Sequence, residues 1–195
     1  MVCWGNHDQS RVPPGLGRVV ALAAGFWHTC AMTAGGEVAC WPPGGAATTP
    51  PRALGPVAAL TAGWQFTCAL TAAGEVACWG DGGAAEPGPP ADLGPAAGVA
   101  AGEKYACAVL LASRRVRCWG DAGWGAGALS PPADLAPAVD LAAGRSTTCA
   151  LVTAPPGAVR CWGGDGTGVW EGPFVAVAMG LVHTCALAAS GAVRC

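Results

Sequence analysis

Ten of the eleven cysteines in this 195-residue chain come in pairs, and they are the groups best placed to do chemistry. Cys30 and Cys40 flank a glycine-rich turn in AGFWHTCAMTAGGEVACW, residues 24–41. Cys68 and Cys78, Cys107 and Cys118, Cys149 and Cys161, and Cys185 and Cys195 flank turns in four later copies. Facing thiols can oxidise to a disulfide, or they can remain buried as small apolar groups in a reducing compartment. His28 and His183 each precede a cysteine by two positions, a spacing that would bring two ligands to one metal. The partner across the turn explains each cysteine better, so neither metal nor cofactor is expected.

Catalysis finds little material. Nucleophilic chemistry needs a nucleophile, a base within hydrogen-bond reach and a group that orients the base. The chain has five serines and three histidines, with no Gly-x-Ser-x-Gly and no Gly-x-x-x-x-Gly-Lys phosphate loop. GDGTG, from Gly164, carries one carboxylate and reads as a turn more than as a calcium loop. The expectation is a protein that is not an enzyme.

The elements that position the cysteines follow from the spacing. Gly25, Gly63, Gly102, Gly144 and Gly180 each stand five residues before a cysteine, at intervals of 38, 39, 42 and 36. Such a period marks a supersecondary unit that needs neighbours to bury its faces. A short apolar run precedes each glycine, a second follows it, and after a turn a third ends in Cys-Trp, so the expected fold is an all-β array. Pairing across a turn centred on Gly35 sets Met32 against Val38 and Cys30 against Cys40. Cα atoms in a non-hydrogen-bonded pair are about 4.5 Å apart, within disulfide reach. Cys68 with Cys78 and Cys185 with Cys195 obey the same rule, and the longer tips LASRR and TAPPG absorb the extra residues of the other two copies. Closing a loop of about ten residues contributes roughly 2 to 3 kcal/mol. Disulfides are therefore favoured over buried thiols, which places the chain in an oxidising compartment.

Composition removes other classes. The chain is 52% hydrophobic and 11% charged with a net charge of −2, and no basic run exceeds Arg114-Arg115, so nucleic acid is not an expected partner. Residues 174–193 have the length of a membrane span, but they lie in register with the other copies, so no membrane insertion is expected. MVCWGNHDQS lacks a basic start followed by an apolar stretch, so no signal peptide is read there. Cys3 begins a Cys-Trp strand without an upstream mate, and Cys195 precedes no Trp. The expectation is one repeat domain over residues 1–195, cut from a longer array at both ends, with repeat cores at 19–41, 57–80, 96–120, 138–163 and 174–195.

The order AG, two free positions, HTCALTA, a glycine turn and V-x-C-W-G resembles the repeats of the regulator of chromosome condensation family. Residues 25–41, 63–80 and 180–195 match best, and CWGDAGWGAGAL from Cys118 is similar to the family's loop ending. The resemblance implies a β-propeller, typically of seven four-stranded blades, so five repeats imply an incomplete ring. The cysteine pairs look more like the extracellular repeats of crinkly-type receptor kinases and of secreted bacterial and algal relatives. Pro42 and Pro43 depart from the pattern by replacing the glycine after Trp41.

Function is then expected in loops carried by a rigid frame. The two positions after each repeat glycine vary most: Phe26 and Trp27, Trp64 and Gln65, Glu103 and Lys104, Arg145 and Ser146, Leu181 and Val182. They are the candidate contact residues for a protein ligand, because Trp and Arg anchor many interfaces. The alternative is that Trp27 and Trp64 wedge between blades. The regularly placed Trp4, Trp41, Trp79, Trp119 and Trp162 read as structural, and Trp124 and Trp170 fit either role. The leading expectation is a non-catalytic protein-binding module, secreted or in the outer part of a receptor-like protein, of open oligomeric state. The resemblance keeps two alternatives: an intracellular exchange regulator of a small GTPase, and an accessory domain of a larger enzyme such as a kinase.

Overall fold

The computed structural model describes every residue except 1, 2, 4–9, 82–87, 122, 155, 156, 165 and 166, and the side chains of 124–126. Trp4, Asp165 and the side chain of Trp124 thus fall outside the described residues. The remainder forms five antiparallel sheets, one for each repeat. The first blade contains β1 (Val19–Ala24), β2 (Thr29–Thr33) and β3 (Val38–Trp41); the second contains β4 (Val57–Ala62), β5 (Phe66–Thr71) and β6 (Val76–Gly80). The third has β7 (Ala96–Ala101), β8 (Tyr105–Leu110) and β9 (Val116–Gly120). The fourth has β10 (Ala138–Ala143), β11 (Thr147–Val152), β12 (Ala158–Gly163) and a short fourth strand, β13 (Gly168–Trp170). β14 (Phe174–Met179), β15 (Thr184–Ala188) and β16 (Val193–Arg194) complete the fifth. The all-β fold is that of propeller blades, and among the described residues only one blade carries the fourth strand that the family pattern implies.

Each cysteine pair lies where the hairpin register puts it. Cys30 is the direct partner of Cys40, Cys68 of Cys78, Cys107 of Cys118 and Cys149 of Cys161. All five pairs, including Cys185 with Cys195, are disulfides with Cα separations of 4.0 to 4.1 Å. Cys3 is the free cysteine.

Every inner pair also contains a β-bulge. The register slips between Val19 and Ala21, Val57 and Ala59, Ala96 and Gly98, Ala138 and Asp140, and Phe174 and Ala176. An extra residue on one strand bends it and increases local twist, which suits a strand that must turn around an axis. The bulged Val20, Val139 and Val175 are half exposed, which accounts for apolar side chains at the surface.

The core lies between blades. The middle strands of the inner blades are covered on both faces, so β5 is buried along its whole length and shows no alternation. Met32 of the first blade packs with Val57, Ala69 and Trp79 of the second. Phe66 and Leu70 pack with Ala96, Ala106 and Trp119, and Tyr105 and Val109 pack with Ala138, Leu141 and Trp162. Leu151 and Val159 pack with Phe174 and Val177. Trp79, Trp119 and Trp162 of the Cys-Trp strands therefore pack back against the preceding blade. Two of the indole N–H groups bond a loop carbonyl: Trp79 Nε1 donates to the Ala47 carbonyl at 2.9 Å and Trp162 Nε1 to the Ala128 carbonyl at 3.0 Å. Thr67 and Thr148 hydroxyls reach the same two carbonyls at 2.9 and 3.1 Å. Buried indole and hydroxyl groups thus clamp the inter-blade loop.

Candidate functional site

The repeat glycines create the site by letting blades approach. A Cβ on Gly25 would stand 2.5 Å from the Gly63 carbonyl oxygen, one on Gly63 2.5 Å from that of Gly102, and one on Gly102 2.6 Å from that of Gly144. No side chain fits at those distances. The residue after each glycine fastens its blade to the next: the Phe26 amide donates to the Gly63 carbonyl at 3.2 Å, Trp64 to Glu103 at 3.0 Å, Glu103 to Gly144 at 3.1 Å and Arg145 to Leu181 at 3.0 Å. Inner strands thus converge on an axis, with their following loops around one opening.

That opening is a cavity of about 410 Å³. Its floor is the Ala-Gly pairs at the ends of four inner strands with Met179-Gly180 from the fifth, and its rim is Phe26, Trp64, Glu103, Arg145 and Leu181, one from each blade. The rim divides by chemistry. Phe26 and Trp64 rings lie 5.2 Å apart, tilted by 44°. Glu103 and Arg145 form an ion pair, Oε2 to Nε, at 3.0 Å, in which the carboxylate side chain is 14% exposed and the guanidinium side chain 59%. The cation is the member of that pair presented to solvent. Leu181 is 49% exposed and adds apolar surface beside Met179.

The ten candidate contact residues thus separate into two sets. The first of each pair lines the cavity, whereas Trp27, Gln65, Lys104, Ser146 and Val182 do not. Three of this second set hold the loop after the Cys-Trp strand by their carbonyls: Gln65 accepts from Asp81 at 2.8 Å, Lys104 from Asp121 at 3.0 Å and Ser146 from Gly164 at 2.7 Å. Their side chains flank the rim. Trp27 is half exposed, with its ring 4.9 Å from Phe26 and nearly perpendicular to it, and Lys104 Nζ lies 5.8 Å from the Trp64 ring centre.

His28 and His183 share a repeat position and differ in surroundings. His28 is 3% exposed, and Nε2 lies 2.8 Å from Thr67 Oγ1 in the next blade. Burial lowers its pKa below the usual histidine value. His183 is exposed. Among the described residues no three His, Cys, Asp or Glu side chains gather as metal ligands would, and no helix is long and apolar enough to cross a membrane.

A feature at the outer edge was not anticipated from sequence. Arg117 bonds to Asp92 at 2.8 Å and Arg160 to Asp134 at 2.7 Å, each joining a third strand to the loop entering its own blade. Each arginine holds its carboxyl below the usual carboxylate range by hydrogen bonding. The signal was available: PPADL occurs at residues 89–93 and 131–135, in the two repeats that also carry V-R-C-W.

Comparison with known proteins places this geometry. Residues 19–41 and 57–84 match the family model "Regulator of chromosome condensation (RCC1) repeat". The entire ectodomain of the receptor kinase CR4 from Physcomitrella patens is 29% identical, with a TM-score of 0.70 over 90% of this chain and 49% of its own. The CRINKLY WD40 ectodomain of the receptor kinase ACR4 from Arabidopsis thaliana is 26% identical, with a TM-score of 0.69 over 88% of this chain and 59% of its own. Prp20p from Saccharomyces cerevisiae, studied for binding to Gsp1p and histones, shares the fold at 18% identity and a TM-score of 0.71, over 90% of this chain and 56% of its own. This chain thus spans about half the length of these neighbours. No curated protein matches its sequence.

Proposed function

We propose that this chain, which carries regulator of chromosome condensation repeats on a propeller frame, is a non-catalytic protein-binding module that works outside the cell. The observation that carries the reading is the convergence of five variable side chains, one per repeat, around one axial cavity whose glycine floor hardly varies. Conserved scaffold with divergent rim is how a repeat frame presents recognition residues. Five disulfides and the likeness to two receptor kinase ectodomains support an oxidising, extracellular setting. The contact set comprises Phe26, Trp64, Glu103, Arg145 and Leu181, with Trp27, Gln65, Lys104, Ser146 and Val182 around them.

Residues 1–195 are proposed to be one propeller domain within a longer array. Leu22 on the first blade is 52% exposed, against 8% for its counterparts Leu141 and Val177, and Leu187 on the last is 38% exposed, against 7% for Leu70 and 4% for Leu151. These are the faces that neighbouring blades cover elsewhere. Exchange activity on a small GTPase is the alternative; its support is a likeness of fold alone.

Site-specific photo-crosslinking on the secreting cell tests the reading. A crosslinker at position 181 should yield a protein adduct that one at position 115, on a hairpin tip, does not. Adducts from position 115 alone would move the interface off the axis. Non-reducing peptide mapping should recover Cys30 linked to Cys40 and Cys68 to Cys78; free thiols at these positions would remove the extracellular setting. Accelerated nucleotide release in an exchange assay would favour the alternative.

A further inference from the structure

We propose that the axial cavity takes a peptide segment in which an apolar side chain stands beside a carboxylate. This rests on reading the rim as a protein-binding face, and it names what that face selects.

The floor contributes little to selection. Its alanines and glycines present no polar side chain, and the amides of Phe26, Trp64, Glu103 and Arg145 are already bonded to the next blade. Recognition therefore falls to the rim. Phe26 and Trp64 supply an aromatic wall from one end of the arc, and Leu181 with Met179 supplies aliphatic surface from the other. A volume of about 410 Å³ admits a large side chain with its flanking backbone and is far too small for a folded domain.

Charge sets the second requirement. Glu103 is largely covered while its partner Arg145 is 59% exposed, so an entering group meets the guanidinium first. Guanidinium binds carboxylate through paired, charge-assisted hydrogen bonds. Lys104 adds a second cation beside Trp64. Of the carboxylates in the flanking loops, Asp121 accepts from the Gly123 amide at 2.7 Å and so is turned toward its own loop. A sugar stacks flat on an aromatic ring, and the two rings of the cavity rim are tilted by 44° against each other with Lys104 over Trp64.

Capped, fluorescein-labelled hexapeptides provide the test, titrated by anisotropy against the full disulfide-bonded chain. The sequence Gly-Gly-Leu-Asp-Gly-Gly should bind, its Leu-Asn and Gly-Asp versions about tenfold or more weakly, as expected for losing a charge-assisted bond or an apolar anchor, and its Leu-Lys version not at all. Arg145→Gln should erase the preference for Asp over Asn while leaving the affinity for the Leu-Asn peptide and the far-UV circular dichroism spectrum unchanged. Equal binding of the Asp, Asn and Lys peptides would overturn the acidic requirement and leave the protein-binding reading standing. No binding by any peptide at millimolar concentration would overturn the proposal, and binding of cellohexaose in their place would overturn both.

Discussion

Between the first and second blades, His28 Nε2 meets Thr67 Oγ1 at 2.8 Å; between the third and fourth, Tyr105 occupies the same repeat position and donates its hydroxyl to the Thr147 carbonyl at 2.7 Å. The Thr148 hydroxyl stands 3.1 Å from Tyr105 Oη, as Thr67 stands beside His28. Both threonines also bond the loop carbonyl, Ala47 or Ala128. The Thr67 proton goes to Ala47, so His28 must donate through Nε2, which leaves Nδ1 deprotonated. That atom is buried without a partner. Protonating it would bury a second N–H and a charge with nothing to receive them. Tyr105 is satisfied through its single hydroxyl. The intervening seam is apolar at these two positions, setting Phe66 in the same core as Ala106 where the other two seams have Thr, and its side-chain hydrogen bond lies elsewhere, from the Ala101 amide to Thr61 Oγ1 at 3.0 Å. Across these three seams a polar ring faces Thr and the apolar ring faces Ala; the fourth seam has no ring, with Thr147 at that position and Thr184 on the next blade.

The comparison can be broken most severely at Tyr105. Tyr105→Ala removes a ring 1% exposed from the third seam and should cost about 3 to 5 kcal/mol, read from urea denaturation. Tyr105→Phe keeps the ring and deletes only the hydroxyl, so the loss should be about 1 kcal/mol. The size of the gap between these variants separates packing from hydrogen bonding.

Acid sharpens the contrast. Because the folded pKa of His28 is lowered by burial, its contribution is complete above the ordinary value near 6.5 and declines as pH falls below it toward the folded value. The melting temperature should drop by a few degrees over that window, and His28→Phe with Thr67→Ala, which copies the second seam, should flatten the drop. A drop of unchanged size in the double variant would assign it elsewhere. Alkali acts on the other seam. Burial raises Tyr105 to about 12, so its stabilising part holds below about 10 and is lost as pH rises through about 12. As the chain has one tyrosine, absorbance at the tyrosinate band should show a single late titration. At neutral pH the double seam variant should show the smallest effect, within about 0.5 kcal/mol of the parent if the second seam's pairing transfers intact.

Much of this architecture was legible because it is local. The hairpin register needs only Cys30, Gly35 and Cys40, and the seam role of Trp79 follows from its recurrence. The bulge at Val20, Ala58, Ala97, Val139 and Val175 was not legible, since it answers to twist around the axis and leaves no breaker residue behind. The division of the contact candidates was hidden for a similar reason. Phe26 and Trp27 are neighbours in sequence, yet alternation along the backbone and the curvature of the array put one on the cavity and the other beyond it. The Arg117–Asp92 pair leaves a trace in the recurrence of PPADL beside V-R-C-W, but loop and third strand meet only in the folded blade, so spacing within the repeat does not reveal it.

The sulfur bridges are each private to one blade, joining cysteines 10 to 12 positions apart and crossing no seam. Under tension applied along the chain they cannot keep one blade attached to the next. What they can do is withhold slack. As each blade yielded, the segment behind its bridge would stay out of the load path, roughly 3.3 to 3.6 Å of reach per residue that reduction would release. A pulled molecule would lengthen in five short steps when oxidised and five longer ones when reduced.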